Sequence, residues 1–307
     1  TIVATNSHFG KAAPNDEQTR QNCDNLLKPL IERGELVITQ GFIGRDEQGK
    51  TTTLGRGGSD YSAALLAEVL NAQDVLIWTD VAGIYTTDPR IVSNAQRIDT
   101  MSFSEAAEMA TFGAKVLHPA TLLPAVRSNI PVYVGSSKAP QDGGTWVTRN
   151  PQPRPTFRAI ALRRDQTLLT LSSLNMLYAQ GFLANIFTIL AKHKISVDTI
   201  TTSEVSVALT LDKTGSASSG KSLLSQELIE ELSQFCTVKV DTGLSLVALI
   251  GNELHTASGV AKRIFETLDA YNIRMISYGA STNNICLLAD SDKADEIVRS
   301  LHRSLFE

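Results

Sequence analysis

Thr51-Thr-Thr-Leu-Gly-Arg-Gly-Gly-Ser-Asp-Tyr-Ser-Ala-Ala-Leu-Leu-Ala-Glu-Val-Leu70 is a glycine-rich loop running into an amphipathic helix. Gly55, Gly57 and Gly58 surround Arg56, and without Cβ atoms they let the backbone take positive φ and lie close to a ligand. Ser59 or Asp60 suits the N-cap, after which Ala63, Leu66, Ala67 and Leu70 recur at helical spacing and give one apolar stripe. Unpaired N–H groups and the macrodipole make such a helix start an anion site. The planar fork of Arg56 matches a carboxylate or a phosphate. The same residues would also make a plain tight turn with an exposed arginine, so the flanking chain decides.

Upstream, Cys23, Leu26, Leu27, Leu30 and Ile31 share a helical face that Gly34 ends. The short β-branched run Leu36-Val37-Ile38-Thr39 then reads as a strand leading into Gly41-Phe42-Ile43-Gly44. Downstream, Asp74-Val75-Leu76-Ile77-Trp78 is a second apolar strand, followed at once by Thr79-Asp80-Val81-Ala82-Gly83-Ile84-Tyr85. Continuous apolar strands alternating with helices imply a parallel sheet covered on both faces. Ligands bind beyond the carboxyl ends of such strands, which is where residues 41–60 and 79–90 fall. Ser102-Phe103-Ser104-Glu105 is a capping box opening a helix that breaks at Gly113, ahead of Lys115 and a further helix near Pro119. Residues 131–134 and 145–148 read as strands. Asn150-Pro151-Gln152-Pro153-Arg154-Pro155 holds three prolines in six residues, an extended linker. The boundary expected is a first domain over 1–149 and a linker over 150–156.

The 307 residues have room for about two domains. With 42% hydrophobic and 20% charged residues and a net charge of −4, the chain is of ordinary globular composition. A net acidic chain without a long basic run argues against nucleic acid as main partner. Cys23, Cys236 and Cys286 lie far apart with no CxxC spacing, which suggests neither disulfides nor a zinc site and makes a reducing cytoplasm the default. No metal-ligand spacing links the five histidines. No apolar run reaches the roughly 18 residues of a membrane span, and no signal peptide opens the chain. Instead it opens on Thr1-Ile2-Val3-Ala4-Thr5, as if in the middle of a folded unit.

Beyond the linker the chain repeats at an offset of 78 residues. Leu171, Gly181, Ile186, Phe187, Leu190, Ile195, Ser203 and Leu209 match Leu249, Gly259, Ile264, Phe265, Leu268, Ile273, Ser281 and Leu287. The first copy reads as strand 167–171, helix 182–193, strands 196–202 and 205–211, helix 223–234 and strand 237–241, a βαββαβ unit over 166–241. The second, over 244–307, lacks its closing strand, which the orphan strand 157–163 can supply.

Strand ends and loops of the first half hold Arg56, Ser59, Asp60, Thr79, Asp80, Tyr85, Arg90 and Lys115. Arg90 and Lys115 suit phosphates, while Thr79 and Asp80 suit a ribose or base. In the first repeat, Gly181-Phe182-Leu183 at a helix start faces Ser196-Val197-Asp198 and Thr202-Ser203-Glu204. Helix N–H groups for a carboxylate and acidic groups for an amine together fit an amino acid; a structural turn with solvated carboxylates reads equally well.

Residues 53–60 (Thr-Leu-Gly-Arg-Gly-Gly-Ser-Asp), 78–90 (Trp-Thr-Asp-Val-Ala-Gly-Ile-Tyr-Thr-Thr-Asp-Pro-Arg) and 112–119 (Phe-Gly-Ala-Lys-Val-Leu-His-Pro) together resemble the aspartokinase family. The tandem repeat resembles its paired ACT domains, and residues 176–183 and 196–204 resemble the lysine-sensitive monofunctional members. The fold so implied is α/β: an amino acid kinase-type parallel-sheet αβα sandwich, its N-terminal part missing, followed by tandem ferredoxin-like ACT domains. The implied reaction is transfer of the ATP γ-phosphoryl group to the β-carboxylate of L-aspartate, giving 4-phospho-L-aspartate, with Mg²⁺ bound through the nucleotide phosphates. Arg56 and Ser59 would hold aspartate, Asp60 would order the catalytic site, and Thr79, Asp80, Tyr85, Arg90 and Lys115 would contact ATP. L-Lysine would inhibit by binding near Met176, Ala179, Phe182, Leu183, Val197, Asp198, Ser203 and Glu204. The ACT domains would pair chains into a homodimer or a tetramer. Family members open on a strand and a Lys-Phe-Gly-Gly phosphate loop that this sequence lacks, so negligible kinase activity is expected of the chain by itself. A lysine-binding, dimerising regulatory module with a residual nucleotide domain is the other reading.

Overall fold

The computed structural model describes residues 1–55, 57–113, 117, 119–176, 180–212 and 224–307, with the backbone alone at 119–121 and 212. Arg56, Lys115 and Ala179, expected at the sites, lie outside the described residues. Two compact units emerge, one of Thr1–Ala159 with Ile250–Asn252, the other of Ile160–Leu249 with Glu253–Glu307. Among the described residues no helix is long and apolar enough to cross a membrane.

The first unit runs α1 (Asp16–Leu26), α2 (Lys28–Glu32), β1 (Ile43–Arg45), β2 (Thr51–Thr53), α3 (Gly58–Leu70), β3 (Val75–Thr79), β4 (Ile84–Tyr85), β5 (Arg97–Ile98), β6 (Thr100–Ser102), α4 (Phe103–Thr111), α5 (Pro119–Ser128), β7 (Val132–Ser136) and β8 (Gly144–Thr148). Its main sheet has the order β3-β7-β8-β6. β3 and β7 are parallel, with Thr79 opposite Ser136, but β8 runs antiparallel to β7, so the sheet is mixed where a parallel one was expected. The connection, a 3₁₀ turn at Pro140–Asp142 followed by Gly143, is too short for the crossover a parallel partner needs. Val75, Ile77, Val132, Val134 and Val147 are buried on one face, and α3 packs beside α5. Each such side chain contributes about 1.5–3 kcal/mol on leaving water.

The opposite face departs from the expected two-sided cover. Trp78, Tyr133 and Trp146 form an aromatic row, with ring centroids 5.6 and 5.0 Å apart, and Leu76 and Trp78 are exposed. Gly144 is required beneath Tyr133, since a Cβ there would fall 2.2 Å from the Val134 carbonyl oxygen. The run 36–39 is no strand either: it makes no ladder, and Leu36 and Ile38 are 90% and 88% exposed. Apolar β-branched composition favours a strand only where a neighbour accepts its hydrogen bonds.

The second unit contains β9 (Phe157–Ser172), α6 (Phe182–Lys192), β10 (Ser196–Thr202), β11 (Ser206–Asp212), α7 (Gln226–Ser233), β12 (Thr237–Gly251), α8 (Val260–Thr267), β13 (Ile273–Ser277), β14 (Asn284–Asp290) and α9 (Ala294–Phe306), with the ends of β9 and β12 reaching into the first unit. Strands read separately at 157–163 and 167–171 are one, and the strand read at 237–241 runs on to Gly251. One six-stranded sheet results, ordered β10-β11-β9-β12-β14-β13. β9 opens the first βαββαβ copy and closes the second; β12 does the reverse. Each long strand bends once, at Asp165 (φ 57°) and at Gly243 (φ 71°), positions separated by the repeat offset. The sheet curls so that its outer strands meet, Thr201 Oγ1 donating to the Ile276 carbonyl at 3.2 Å. Leu169, Leu171, Ile186, Leu190, Val207, Leu209, Leu228 and Leu232 form the first copy's core.

Candidate active site and effector site

The glycine-rich loop is shaped by backbone. Gly57, at φ 71°, is the N-cap of α3 with no side-chain cap, while Ser59 and Asp60 lie inside the first turn. Neither caps the helix as expected, because the left-handed glycine turns the chain one step earlier. The helix-start N–H groups therefore have no capping side chain and suit an anion. Phe42 and Gly10-Lys11 flank the loop. A Cβ on Gly58 would come within 2.8 Å of the Phe42 ring, and one on Gly55 within 3.3 Å of the Gly10 carbonyl oxygen and 3.6 Å of the Lys11 Cγ. Phe42 N–H donates to Ser62 Oγ at 2.9 Å, and Ser62 Oγ donates to the Gly58 carbonyl at 2.8 Å, which fixes the loop on the helix.

Asp60 borders an apolar crevice lined by Ala64, Val75, Ile77, Leu117, Leu122 and Val132. Burial pushes its carboxyl up from the ordinary value. Ser59 is exposed, touching the loop at Gly41, whose added Cβ would lie 3.2 Å from Ser59 Cα.

The carboxyl ends of β3 and β7 lie side by side. Ser137 donates through N–H and Oγ to the Thr79 carbonyl at 2.8 and 3.0 Å, and Thr79 Oγ1 donates to Asp80 Oδ1 at 3.2 Å. Ser136 Oγ accepts the N–H groups of Lys138 and Ala139 at 3.2 and 3.3 Å. This turn presents an exposed lysine beside Thr79 and Asp80. Lys138 was not singled out from sequence, although Ser-Ser-Lys after a strand satisfies the rule that selected Thr79-Asp80. Lys11 lies beside Gly55 and carries no comparable signal in the sequence.

Tyr85 sits in the hairpin of β4 and β5, opposite Arg97. Buried Thr145 ties that hairpin to β8: its Oγ1 accepts the Ile84 N–H at 2.8 Å and donates to the Ile98 carbonyl at 2.6 Å. Arg90 is 87% exposed and held by Asp88, Nη2 lying 2.6 Å from Oδ2. Its fork is occupied locally rather than open for a phosphate. Among the described residues no group of three His, Cys, Asp or Glu side chains stands ready for a metal ion.

In the second unit, α6 starts after Gly181 (φ 84°), again without a side-chain cap. Met176, Phe182 and Val197 pack with the core of the first copy, Phe182 edge-to-face with Phe235, and Leu183 is exposed. Asp198 pairs with Arg163, which the sequence gave no sign of, at 2.9 Å. Ser203 closes the turn to β11, its N–H donating to the Ser206 carbonyl at 2.8 Å, with Glu204 exposed beside it. At about 3.3 Å per strand residue, Ser203 and Asp198 stand near opposite ends of β10.

Residues 1–136 match the model of the amino acid kinase family, and residues 247–305 that of an ACT domain. The chain is 62% identical over 306 residues to the lysine-sensitive aspartokinase 3 of Escherichia coli, covering all of this chain and 68% of that protein. It is 39% identical to the chloroplastic aspartokinase 3 of Arabidopsis thaliana, covering 92% of this chain and 51% of that one. Among solved structures, E. coli aspartokinase III with aspartate and ADP in its R-state matches with a TM-score of 0.87, over 100% of this chain and 68% of that one. The same enzyme with lysine and aspartate, in its T-state, gives 0.85 at 61% identity, with the same coverage. The chain thus spans about two thirds of the bacterial relative and about half of the plant one.

Proposed function

The chain belongs to the aspartokinase family of kinases, and on that premise we propose that its protein transfers the γ-phosphoryl group of ATP to the β-carboxylate of L-aspartate under feedback by L-lysine. Aspartate sits at the glycine-rich loop, its α-carboxylate taken by Arg56 and the start of α3 with Ser59. Asp60, in its apolar crevice, keeps that helix start in register. ATP lies across the ends of β3 and β7, against Thr79, Asp80, Tyr85, Lys115 and, added from the structure, Lys138. Arg90 joins only by exchanging Asp88 for a phosphate. The Asp80 carboxylate and the hydroxyls of Thr79 and Ser137 are oxygen donors that would hold Mg²⁺ brought in on the nucleotide phosphates, where it would supply neutralisation of phosphate charge. The chain's own contribution is to hold acceptor and donor in line and to neutralise charge with fixed cations.

Lysine binds the first ACT copy, its amine at Asp198 and its carboxylate at the start of α6. Ser203 and Glu204, at the far end of β10 from Asp198, reach that ligand from a second copy in a homodimer.

The observation that carries the nucleotide reading is the adjacency of Thr79-Asp80 and Ser136-Ser137-Lys138 at two parallel strand ends. Titration calorimetry with Mg·ADP tests it: Lys138→Ala should weaken nucleotide binding about tenfold, as loss of one charge-assisted contact does, and leave lysine binding unchanged. Equal ADP affinity in the two chains would remove Lys138 from the site, and no ADP binding by either would refute a nucleotide site in these residues.

A further inference from the structure

Asp198 is the extra residue of a β-bulge: the pairing of β10 with β11 shifts register between Val197 and Thr199. Bulges re-aim a side chain, and here the carboxylate meets a cation of its own chain. Arg163 Nη1 lies 2.9 Å from Asp198 Oδ2, with the side chains only 16% and 12% exposed. Arg163 stands on β9 two residues before the bend at Asp165.

The second copy repeats the device with its charges exchanged. Asp241, one repeat offset after Arg163, stands two residues before the bend of β12 at Gly243. It receives Arg274 at 3.2 Å and Lys239 at 3.1 Å. Arg274 is itself the bulged residue, the register of β13 on β14 shifting between Ile273 and Met275. In one copy the bulge offers an acid to a cation on the long strand. In the other it offers a cation to an acid there, so only the first copy has a bulge carboxylate to give an amine.

We propose that Arg163 is an internal competitor of the effector, occupying Asp198 in the unliganded chain and giving it up to the ammonium group of lysine. A largely buried carboxylate left without a cation is costly, and the guanidinium of Arg163 supplies that cation from within the chain. The incoming amine then gains only the difference between two charge-assisted contacts, which sets a weaker affinity than an open carboxylate would give. The inference rests on the reading that lysine binds at Asp198.

Lysine titration of the 307-residue chain by calorimetry tests it, with wild type beside Arg163→Gln and Arg163→Lys. Arg163→Gln should bind lysine about tenfold more tightly, the gain of one uncontested charge-assisted bond, while Arg163→Lys stays near wild type. Wild-type binding with R163Q unchanged or weaker overturns the competitor role, and weaker binding would instead give Arg163 to the effector carboxylate. No lysine binding by either chain would remove the effector reading itself. Should R163Q fail to fold, wild type labelled with ¹⁵N-arginine gives a second readout. The side-chain Nε–H signal missing from the R163K spectrum must shift as lysine is added, and a signal that stays in place overturns the proposal.

Discussion

Arg158→Met strikes the most buried charge pair of the first unit. Arg158 Nε donates to Glu105 Oε1 at 2.8 Å, and its Nη2 donates to the Pro153 carbonyl at 2.7 Å. Glu105 has no exposed surface. It would keep the Ser102 N–H at 2.6 Å and the Asn252 Nδ2 at 2.7 Å, but its charge would have no cation. Removing one partner of a buried pair costs about 3–5 kcal/mol, chiefly because the other charge stays behind. The two surviving hydrogen bonds put this case near the lower end. For a unit of this size, at about 2–4 °C per kcal/mol, the melting temperature should fall by about 10 °C. The double variant Glu105→Gln, Arg158→Met removes the stranded charge and should recover at least half of that loss. Differential scanning calorimetry of the three chains checks both expectations. A single variant melting within about 2 °C of wild type, or a double variant melting no higher than the single, refutes the account of Glu105 as a buried anion held by Arg158.

The same residue carries a pH dependence: burial pushes the Glu105 carboxyl up, but the hydrogen bonds from Arg158, Ser102 and Asn252 and the Arg158 charge outweigh it and hold the group below its ordinary value. A depressed folded value means stability that is present above the unfolded pKa of about 4.3 and lost as pH falls through the folded one, so melting temperature should drop more steeply below pH ~4 in wild type than in Glu105→Gln, and parallel curves would contradict this. Gly251→Ala should destabilise severely, by more than about 3 kcal/mol, because its Cβ would overlap the Thr156 carbonyl oxygen; urea titration with an unchanged midpoint would disprove that close approach.

Much of the fold is legible where the physics is local. The α4 capping box is visible in Ser102-Phe-Ser-Glu105 and is formed with both of its hydrogen bonds. Helices α6 and α8 start after Gly181 and Gly259, matched glycines of the repeat, both in the left-handed region. Strand direction is less legible, because residues 145–148 carry the same apolar signal whether β8 runs with β7 or against it. The fusion of two predicted strands into β9 escaped for a related reason. Arg163, Arg164 and Asp165 look like a polar connection, yet Asp165 takes a positive φ and the ladder continues past it. At the candidate sites, residue type marked the strand-end group around Thr79, but only the structure could pair Asp198 with Arg163 or lock Arg90 on Asp88.

Glu105 shows why a correct local reading can be half of the chemistry. As N3 of the capping box its Oε2 accepts the Ser102 N–H, which is all that a four-residue pattern can announce. Its Oε1 accepts from Arg158 and Asn252, 53 and 147 residues away, separations at which no periodicity survives. Both of those residues lie where the chain passes between the two units, Arg158 at the start of β9 and Asn252 just after β12. The Asn252 N–H also donates to the Thr156 carbonyl at 3.0 Å, and Gly251 leaves no room between these two passages. One carboxylate at the head of α4 thus binds both Arg158 and Asn252 within the first unit. Residues 150–156 read as an extended linker, and in the structure their Pro153 and Pro155 carbonyls accept from Arg158 and Asn252. Within the first unit, letting go of Arg158 or Asn252 would strand a buried anion.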